Sequence, residues 1–200
     1  LYCHWHEEVE FIYIEKGQAN FNIDMNTVKA SKNQCVLINS ESIHWGYVGG
    51  TEECLYEAVV FDLKLLSGLL YDVCQSNFID PILKRQYDFP VIPKESNGEV
   101  GDEIKNIVNS YIEKYNGWEI SIKASLLKII SLIAKYNELC GADEHTLVSY
   151  LKHRITCSCL EKKYKEVKSI KKMGKCCNQL CSLPNRHVER RAIMHCTRCC

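Results

Sequence analysis

The first sixty residues consist of short apolar segments separated by tight turns, and this pattern restricts the fold more than any other feature of the chain. Residues 10–16 (EFIYIEK) are rich in branched and aromatic side chains and meet no breaker before Gly17. Residues 19–25 alternate apolar and polar side chains, and residues 24–26 have the composition of a hairpin tip. Further strands are predicted at residues 27–30, 35–39 and 55–63. Short strands about every eight to twelve residues are typical of a β-sandwich or a β-barrel.

A set of polar side chains with a regular spacing lies at the start of this region. His4, His6 and Glu10 follow the pattern His-x-His-x3-Glu-x6-Gly, which ends at Gly17. Even-numbered residues of an extended strand share one face, so these three side chains are predicted to point to the same side. A barrel that brings His44 beside the first strand would add a third imidazole. Such a set can hold a divalent metal such as Mn, Fe, Ni or Zn, or it can line a polar ligand pocket.

This spacing is that of the first cupin motif, and the segment INSESIHWG places His44 at the histidine of the second motif. Residues 4–47 resemble, almost from end to end, the N-terminal ligand-binding domain of AraC-type transcription regulators. The resemblance implies a cupin-type β-barrel that binds a small molecule, sugars being the best-known effectors of the family. It implies binding rather than catalysis, and no cofactor is expected. The predicted ligand-binding residues are His4, His6, Glu10, Tyr13 and His44.

Two other functions remain open at this point. A metal-dependent cupin enzyme would use His4, His6, Glu10 and His44 as metal ligands. A stand-alone cupin module would bind a small molecule without any regulatory partner. The segment 31–34 also lacks the Pro-Gly-Asp turn that is common in the second cupin motif, so the geometry of this loop is left open.

Helical periodicity follows the predicted barrel. Apolar residues recur at helical spacing over 63–73, and a connector with three prolines follows at 77–93, of which residues 87–90 are expected to pack against the barrel. Two amphipathic helices are predicted at about 99–115 and 118–139, separated by Asn-Gly. They indicate an antiparallel α-helical hairpin. The resemblance implies that this hairpin packs against the barrel and contributes to a homodimer.

Charge is distributed unevenly along the chain. Residues 1–145 hold 12 Lys and Arg against 22 Asp and Glu, whereas residues 146–200 hold 13 against 3. A basic end suits an anionic partner such as DNA. Residues 160–179 resemble the beginning of the family's C-terminal domain, where a Ser-capped helix starts the first helix-turn-helix. The resemblance then predicts backbone phosphate contacts from three lysines, namely Lys171, Lys172 and Lys175.

Three interpretations of this basic end remain open. Eight of the 13 cysteines lie in the last 44 residues, and beyond residue 180 the sequence no longer resembles the family. The end is a frameshifted or shortened form of the regulator, a zinc module, or a short basic tail that touches nucleic acid without specificity. Against the zinc module, only Cys196 and Cys199 have the spacing of a zinc knuckle.

These observations predict an α+β protein in three regions: a cupin-type barrel at 1–63, a helical arm at 64–145, and a partly helical, otherwise disordered end at 146–200. No apolar stretch approaches the roughly 20 residues of a membrane span. Five cysteines are spread singly over the first 145 residues, as is typical of cytosolic proteins. We therefore expect a cytoplasmic protein whose partners are a small effector, DNA and a second copy of the chain, with no membrane partner.

Overall fold

The computed structural model describes residues 3–49 and 53–141, together with the backbone of residues 188–191 and 195–196. The strands are β1 (Val9–Lys16), β2 (Gln18–Ile23), β3 (Asn26–Ser31), β4 (Cys35–Ile38), β5 (His44–Val48), β6 (Cys54–Phe61), β7 (Tyr87–Asp88), β8 (Cys140–Gly141), β9 (Val188–Arg191) and β10 (His195–Cys196). The helices are a 3-10 turn (Leu63–Leu66), a π-helical turn (Gln75–Ile79), α1 (Asp80–Leu83), α2 (Asn97–Glu113) and α3 (Trp118–Lys135). The predicted α+β class is confirmed. No helix in the described ranges has the length and apolar character needed to cross a bilayer.

Two sheets form the N-terminal half, and the described strands do not close into one continuous barrel. In the first sheet, β1 lies between β4 and β6 and is antiparallel to both. The backbones of β9 and β10 lie parallel to β6. In the second sheet, β2 lies between β3 and β5 and is antiparallel to both. A separate two-stranded ladder joins β7 to β8.

Strand β1 is buried on both of its faces. Ile12 and Ile14 belong to an apolar cluster with side chains from both sheets, whereas Phe11 and Tyr13 belong to a cluster with the helices. A strand covered on both faces reads as a continuous apolar run, which explains why β1 does not alternate. Strand β2 is buried on one face only, and its burial alternates as predicted. The molecule is thus layered as sheet, sheet and helices, and the first sheet is the central layer.

The turns between strands depend on left-handed backbone conformations. Asp24 (φ 47°) and Met25 (φ 71°) form the tip of the β2–β3 hairpin, which confirms the predicted turn. Asn33 (φ 66°) supplies the left-handed residue of the β3–β4 turn, where the cupin motif commonly has glycine. Asn tolerates this conformation better than most residues, so the loop closes without a glycine. Gly17 (φ 75°) is required between β1 and β2, because a Cβ there would lie 2.3 Å from the carbonyl oxygen of Glu53.

Helices α2 and α3 pack on each other and on the outer face of the first sheet, as predicted. Their buried residues share one cluster with β1, β4 and β6. Helix α2 ends at Lys114, which adopts a left-handed conformation, and α3 begins after Gly117. Because sheet and helices share this core, they support each other's stability. The division of the chain at residue 63 remains a prediction.

The prediction of a helix over residues 63–73 is wrong. Only the 3-10 turn at Leu63–Leu66 forms, and the backbone becomes extended at Ser67. Leu69 and Leu70 are fully or almost fully exposed, so a helix there would have no apolar surface to pack against.

The connector predicted at 77–93 also contains helical structure. Helix α1 lies within it and has Pro81 in its first turn, where the missing N–H costs nothing. Phe89 packs edge-on against Phe11, as the prediction for 87–90 required.

Candidate ligand and metal site

Four of the five predicted site residues meet at one end of the two-sheet layer. Glu10 lies near the start of β1, and His44 is the first residue of β5. His4 pairs with His44 through two backbone hydrogen bonds of 3.1 and 2.9 Å. His6 lies between His4 and β1. The first cupin motif is therefore placed against the second by backbone pairing as well as by side chains.

The predicted extended conformation of the first motif holds only in part. Strand β1 begins at Val9, and the segment before it bends at residues 7 and 8. The bend is fixed by the backbone N–H of Glu41, which donates to the carbonyl of His6 at 2.7 Å. The two histidines therefore reach Glu10 because the chain folds over the end of the sheet, and not because of strand alternation alone.

The four side chains are close enough to share one small ligand or ion. Nε2 of His44 lies 3.1 Å from Oε2 of Glu10, and Nε2 of His6 lies 3.4 Å from the same oxygen. The ring centroids of His4 and His44 are 4.2 Å apart, and those of His6 and His44 are 5.0 Å apart. One potential ligand atom from each residue lies within 4.8 Å of the others. We call these four residues the His/Glu cluster.

Solvent reaches only one side of the His/Glu cluster. Glu10 is 0% exposed and His44 is 1% exposed, whereas the side chain of His6 is 20% exposed and His4 is partly exposed. Burial alone would raise the pKa of Glu10, but the hydrogen bonds and charges of His44 and His6 outweigh it and lower this pKa well below its usual range. Burial acts against the charged form of His6, but its contacts with Glu10 and Glu8 prevail and raise its pKa.

The hydrogen bonds of His6 and His44 show where their protons lie. Nδ1 of His44 is 2.9 Å from the carbonyl oxygen of Ser42, and Nδ1 of His6 is 3.0 Å from that of Glu8. A carbonyl oxygen only accepts, so each Nδ1 carries a proton. Both Nε2 atoms face Oε2 of Glu10, and a proton or a metal cation held between nitrogen and oxygen makes this contact attractive.

Apolar side chains lie directly behind the His/Glu cluster. Ile12 and Ile38 are 0% exposed, and Ile23 at the end of β2 is 4% exposed. The cluster thus closes one end of an apolar interior. It can donate hydrogen bonds through the histidines and accept them through the carboxylate, while the interior behind it excludes water from one side.

Tyr13 does not join the His/Glu cluster. Its odd position on β1 places it in the core shared with the helices, and its hydroxyl donates to Oδ1 of Asn33 at 2.9 Å. Its ring packs on Gly101 of α2, where a Cβ would come within 2.9 Å of Cε2. The predicted phosphate-binding residues Lys171, Lys172 and Lys175 lie outside the described residues, as do most of the C-terminal cysteines.

The sequence predicts a loop at Ser40–Ser42 after a strand at 35–39, and the structure has a loop there, but sequence reasoning did not identify that the loop at residues 39–42 supports the His/Glu cluster from outside. Ser42 is buried and supplies the carbonyl that orients His44. A cavity of about 210 Å³ lies on the other side of this loop, bounded also by segment 7–9, the 3-10 turn and Arg85. The only signal for the loop was its place in the segment LINSESIH, since its role depends on backbone atoms that every residue has.

Comparison with known families agrees with this geometry. Residues 2–130 match the family model of the AraC-like ligand binding domain. The match covers more than half of the chain and contains the whole His/Glu cluster, and the chain belongs to this family. No curated protein sequence matches the chain closely.

Proposed function

We propose that this chain is the effector-sensing part of a ligand-responsive transcription regulator, and that a small polar molecule binds at the His/Glu cluster. The observation that carries the proposal is the position of the cluster: three imidazoles and one carboxylate close the end of the apolar interior of an AraC-like ligand-binding domain. Domains of this family are typically sensing modules, which favours binding over catalysis.

The donors and acceptors of the cluster indicate what the effector must offer. Imidazole N–H groups can donate to oxygen atoms of the effector, and Glu10 can accept from a hydroxyl or an amine. Hydroxyl groups do both, so polyhydroxylated molecules such as sugars fit the cluster, as do small hydroxy acids. His4 is the most accessible of the four side chains and would make the first contact with an entering molecule.

The DNA-binding half of the proposal is supported by charge and by the family. The excess of Lys and Arg after residue 146 suits a phosphate backbone, and Lys171, Lys172 and Lys175 are the proposed contacts. A homodimer would match paired DNA half-sites. Binding of the 200-residue chain to duplex DNA should weaken steeply with added salt, and a triple Lys→Ala variant at these positions should reduce that dependence.

Effector binding is tested by a thermal-shift screen of sugars and hydroxy acids, followed by calorimetry of any molecule that stabilises the protein. The double variant His4→Ala and His44→Ala should abolish the stabilisation. Tyr13→Phe is the matched control, since this hydroxyl bonds to Asn33 on the other face of β1. If the double variant keeps the affinity of the wild type for the effector, the effector binds elsewhere and the proposal is wrong.

A second candidate function is binding of a divalent transition metal at the same cluster. Two observations favour it. Both Nδ1 atoms are held by backbone carbonyls, which is the usual way of orienting metal-binding histidines. The contacts of 3.1 and 3.4 Å to Glu10 match the separation of about 3.4 Å between ligand atoms around a tetrahedral ion with bonds of about 2.1 Å. The imidazoles and the carboxylate would hold the cation. The cation would supply a Lewis acid that binds the effector's oxygen atoms.

Metal analysis of protein purified without an affinity tag separates the two forms of the site. One equivalent of Zn, Ni, Mn or Fe, lost in the His4→Ala and His44→Ala double variant, would establish the metal. Less than about a tenth of an equivalent, with no uptake on titration with Zn²⁺ or Ni²⁺, would leave the metal-free cluster as the binding site.

A further inference from the structure

We propose that Arg85 is a positioning residue that couples the His/Glu cluster to the β7–β8 ladder, which directly precedes the basic part of the sequence. The inference deepens the proposed sensing function and rests on it for its biological meaning. It is carried by a continuous set of hydrogen bonds with the loop at residues 39–42 in the middle.

The loop holds the residues of the His/Glu cluster from outside. The N–H of Glu41 donates to the carbonyl of His6 at 2.7 Å, and the hydroxyl of Ser40 donates to the carbonyl of Glu7 at 2.5 Å. The carbonyl of Ser42 accepts from Nδ1 of His44 at 2.9 Å. Each of these contacts involves a cluster residue or its neighbour, so a displacement of His6 or His44 displaces the loop.

The opposite side of the loop holds the strand β7. The side-chain amide of Asn39 makes two hydrogen bonds with the backbone of Phe89, one of 2.9 Å to its carbonyl and one of 2.8 Å from its N–H. Nη1 of Arg85 donates to the carbonyl of Ser40. The loop is therefore fixed to the cluster on one side and to the segment around Asp88 on the other.

Arg85 extends this connection to Asp88 by an ion pair that includes one hydrogen bond. Nε lies 2.8 Å from Oδ1 of Asp88, and Nη2 donates to Oδ2 at 3.1 Å. Both side chains are largely buried, with 20% and 14% exposure, so the pair is poorly screened. The planar guanidinium is fixed by the carboxylate and by Ser40 together, a geometry that a lysine cannot reproduce.

Asp88 lies in β7 directly opposite Cys140 of β8. After β8 the sequence continues into the basic block that begins at residue 146. The route from the His/Glu cluster to this ladder therefore passes through one loop, which Asn39 and Arg85 connect to β7 and its neighbour Phe89. The cavity of about 210 Å³ beside the route is bounded by the same loop and by Arg85, so there is room for the arginine to move.

The test is amide hydrogen exchange at Cys140 and Gly141, combined with the imidazole NMR signals of His6 and His44, in the 200-residue chain. Arg85→Lys keeps the positive charge and removes the planar guanidinium that contacts both Asp88 and Ser40. We expect it to speed exchange in β8 about tenfold, within the usual size of coupling between sites, and to shift the signals of both histidines. Lys84→Ala is the matched control and should change neither, because Lys84 only pairs with Asp80 at the surface.

The coupling itself is measured by a double-mutant cycle with His6→Ala. This change should speed exchange at Cys140 and Gly141 in the wild type and have less effect when Arg85 is already replaced. If His6→Ala leaves the exchange of β8 unchanged, or if Arg85→Lys alters β8 without moving the histidine signals, the proposal is overturned.

Asp88→Asn is the alternative variant. It is used if Arg85→Lys removes protection from amide exchange throughout α2 and α3, which would mean that Arg85→Lys has not folded. Asp88→Asn breaks the ion pair at its other end and should give the same two changes. Altered exchange in Asp88→Asn with unmoved histidine signals would equally overturn the proposal. None of these measurements uses an effector, so a failed effector screen and a failed coupling test are separate outcomes.

Discussion

The carboxylate of Glu10 and the imidazole of His44 lie 3.1 Å apart at the end of the apolar interior, and both side chains are excluded from solvent. The two residues come from different sheets, Glu10 from β1 and His44 from β5. Their contact therefore links the two sheets at the mouth of the interior. A molecule or ion that enters the His/Glu cluster must act on this contact, which makes it the natural place for binding to alter the fold.

Replacing Glu10 by Gln is expected to lower the free energy of unfolding by about 3–5 kcal/mol, the usual cost of removing one partner from a buried ion pair. Denaturation by urea measures the change. Glu53→Gln is the matched control, since Glu53 pairs with Lys16 at 3.8 Å on the surface and should cost less than about 1 kcal/mol. Equal losses in the two variants would mean that the buried pair has no special role in stability.

Stability should depend on pH with a maximum in the mildly acidic range. The pKa of Glu10 is lowered from 4.5, so its contribution is present above pH 4.5 and is lost as the pH falls through the pKa of the folded state. The pKa of His6 is raised from 6.5, so its contribution is complete below pH 6.5 and is lost as the pH rises through the pKa of the folded state. The two contributions overlap between pH 4.5 and 6.5.

The measurement compares urea denaturation of the wild type and His6→Ala with a chelator present, at about pH 5.5 and about pH 8.5. The stability advantage of the wild type should be larger at the lower pH. An advantage that is the same at both values would show that His6 is not held in its charged form by Glu10.

Two glycines of α2 give a matched test of the packing between helix and sheet. At Gly101 a Cβ would lie 2.9 Å from Cε2 of Tyr13, so Gly101→Ala should destabilise the protein by about 1–3 kcal/mol through overpacking. At Gly98 a Cβ would have no atom within 4 Å, and Gly98→Ala should be neutral or stabilise by up to about 1 kcal/mol through helix propensity. Thermal denaturation of both variants decides the point, and a destabilisation of similar size at the two positions would contradict the close approach of α2 to β1.

Glu138 should contribute to stability by holding the segment that leads into α2. Its carboxylate accepts the N–H of Lys94 at 2.6 Å, that of Glu95 at 2.9 Å, and the hydroxyl of Ser96 just before α2. Glu138→Gln is expected to cost about 1–2 kcal/mol, the usual size for the loss of hydrogen bonds to a charged group. Burial acts to raise the pKa of Glu138, but these hydrogen bonds outweigh it and lower it, so this contribution should fade as the pH falls below 4.5.

Glu113→Gln is the control for this experiment, since Glu113 is exposed at the end of α2. Denaturation curves of both variants at neutral and acidic pH are compared with the wild type. A loss in Glu138→Gln that does not exceed that of the control would show that the carboxylate does not hold the segment before α2.

Residue type and spacing determined a large part of this protein. The apolar run of β1, the alternation of β2 and the turn at Asp24 and Met25 are local signals, because side-chain period and backbone preference act over a few residues. The α2–α3 pair followed from helical period and the Asn-Gly stop for the same reason. The motif spacing also predicted that His4, His6, Glu10 and His44 form one cluster, and the structure brings them together.

Only the tertiary structure decided which face each side chain uses and what holds the cluster. The leucines after residue 66 have helical spacing but no surface to pack on, so the period alone gave a helix that does not form. Tyr13 lies one residue from Ile12 and faces the opposite core, since β1 is covered on both sides. The contacts of Arg85 and of the loop at 39–42 go mostly through backbone atoms of residues distant in sequence. Backbone atoms are the same in every residue, so these contacts could not be predicted from a sequence pattern.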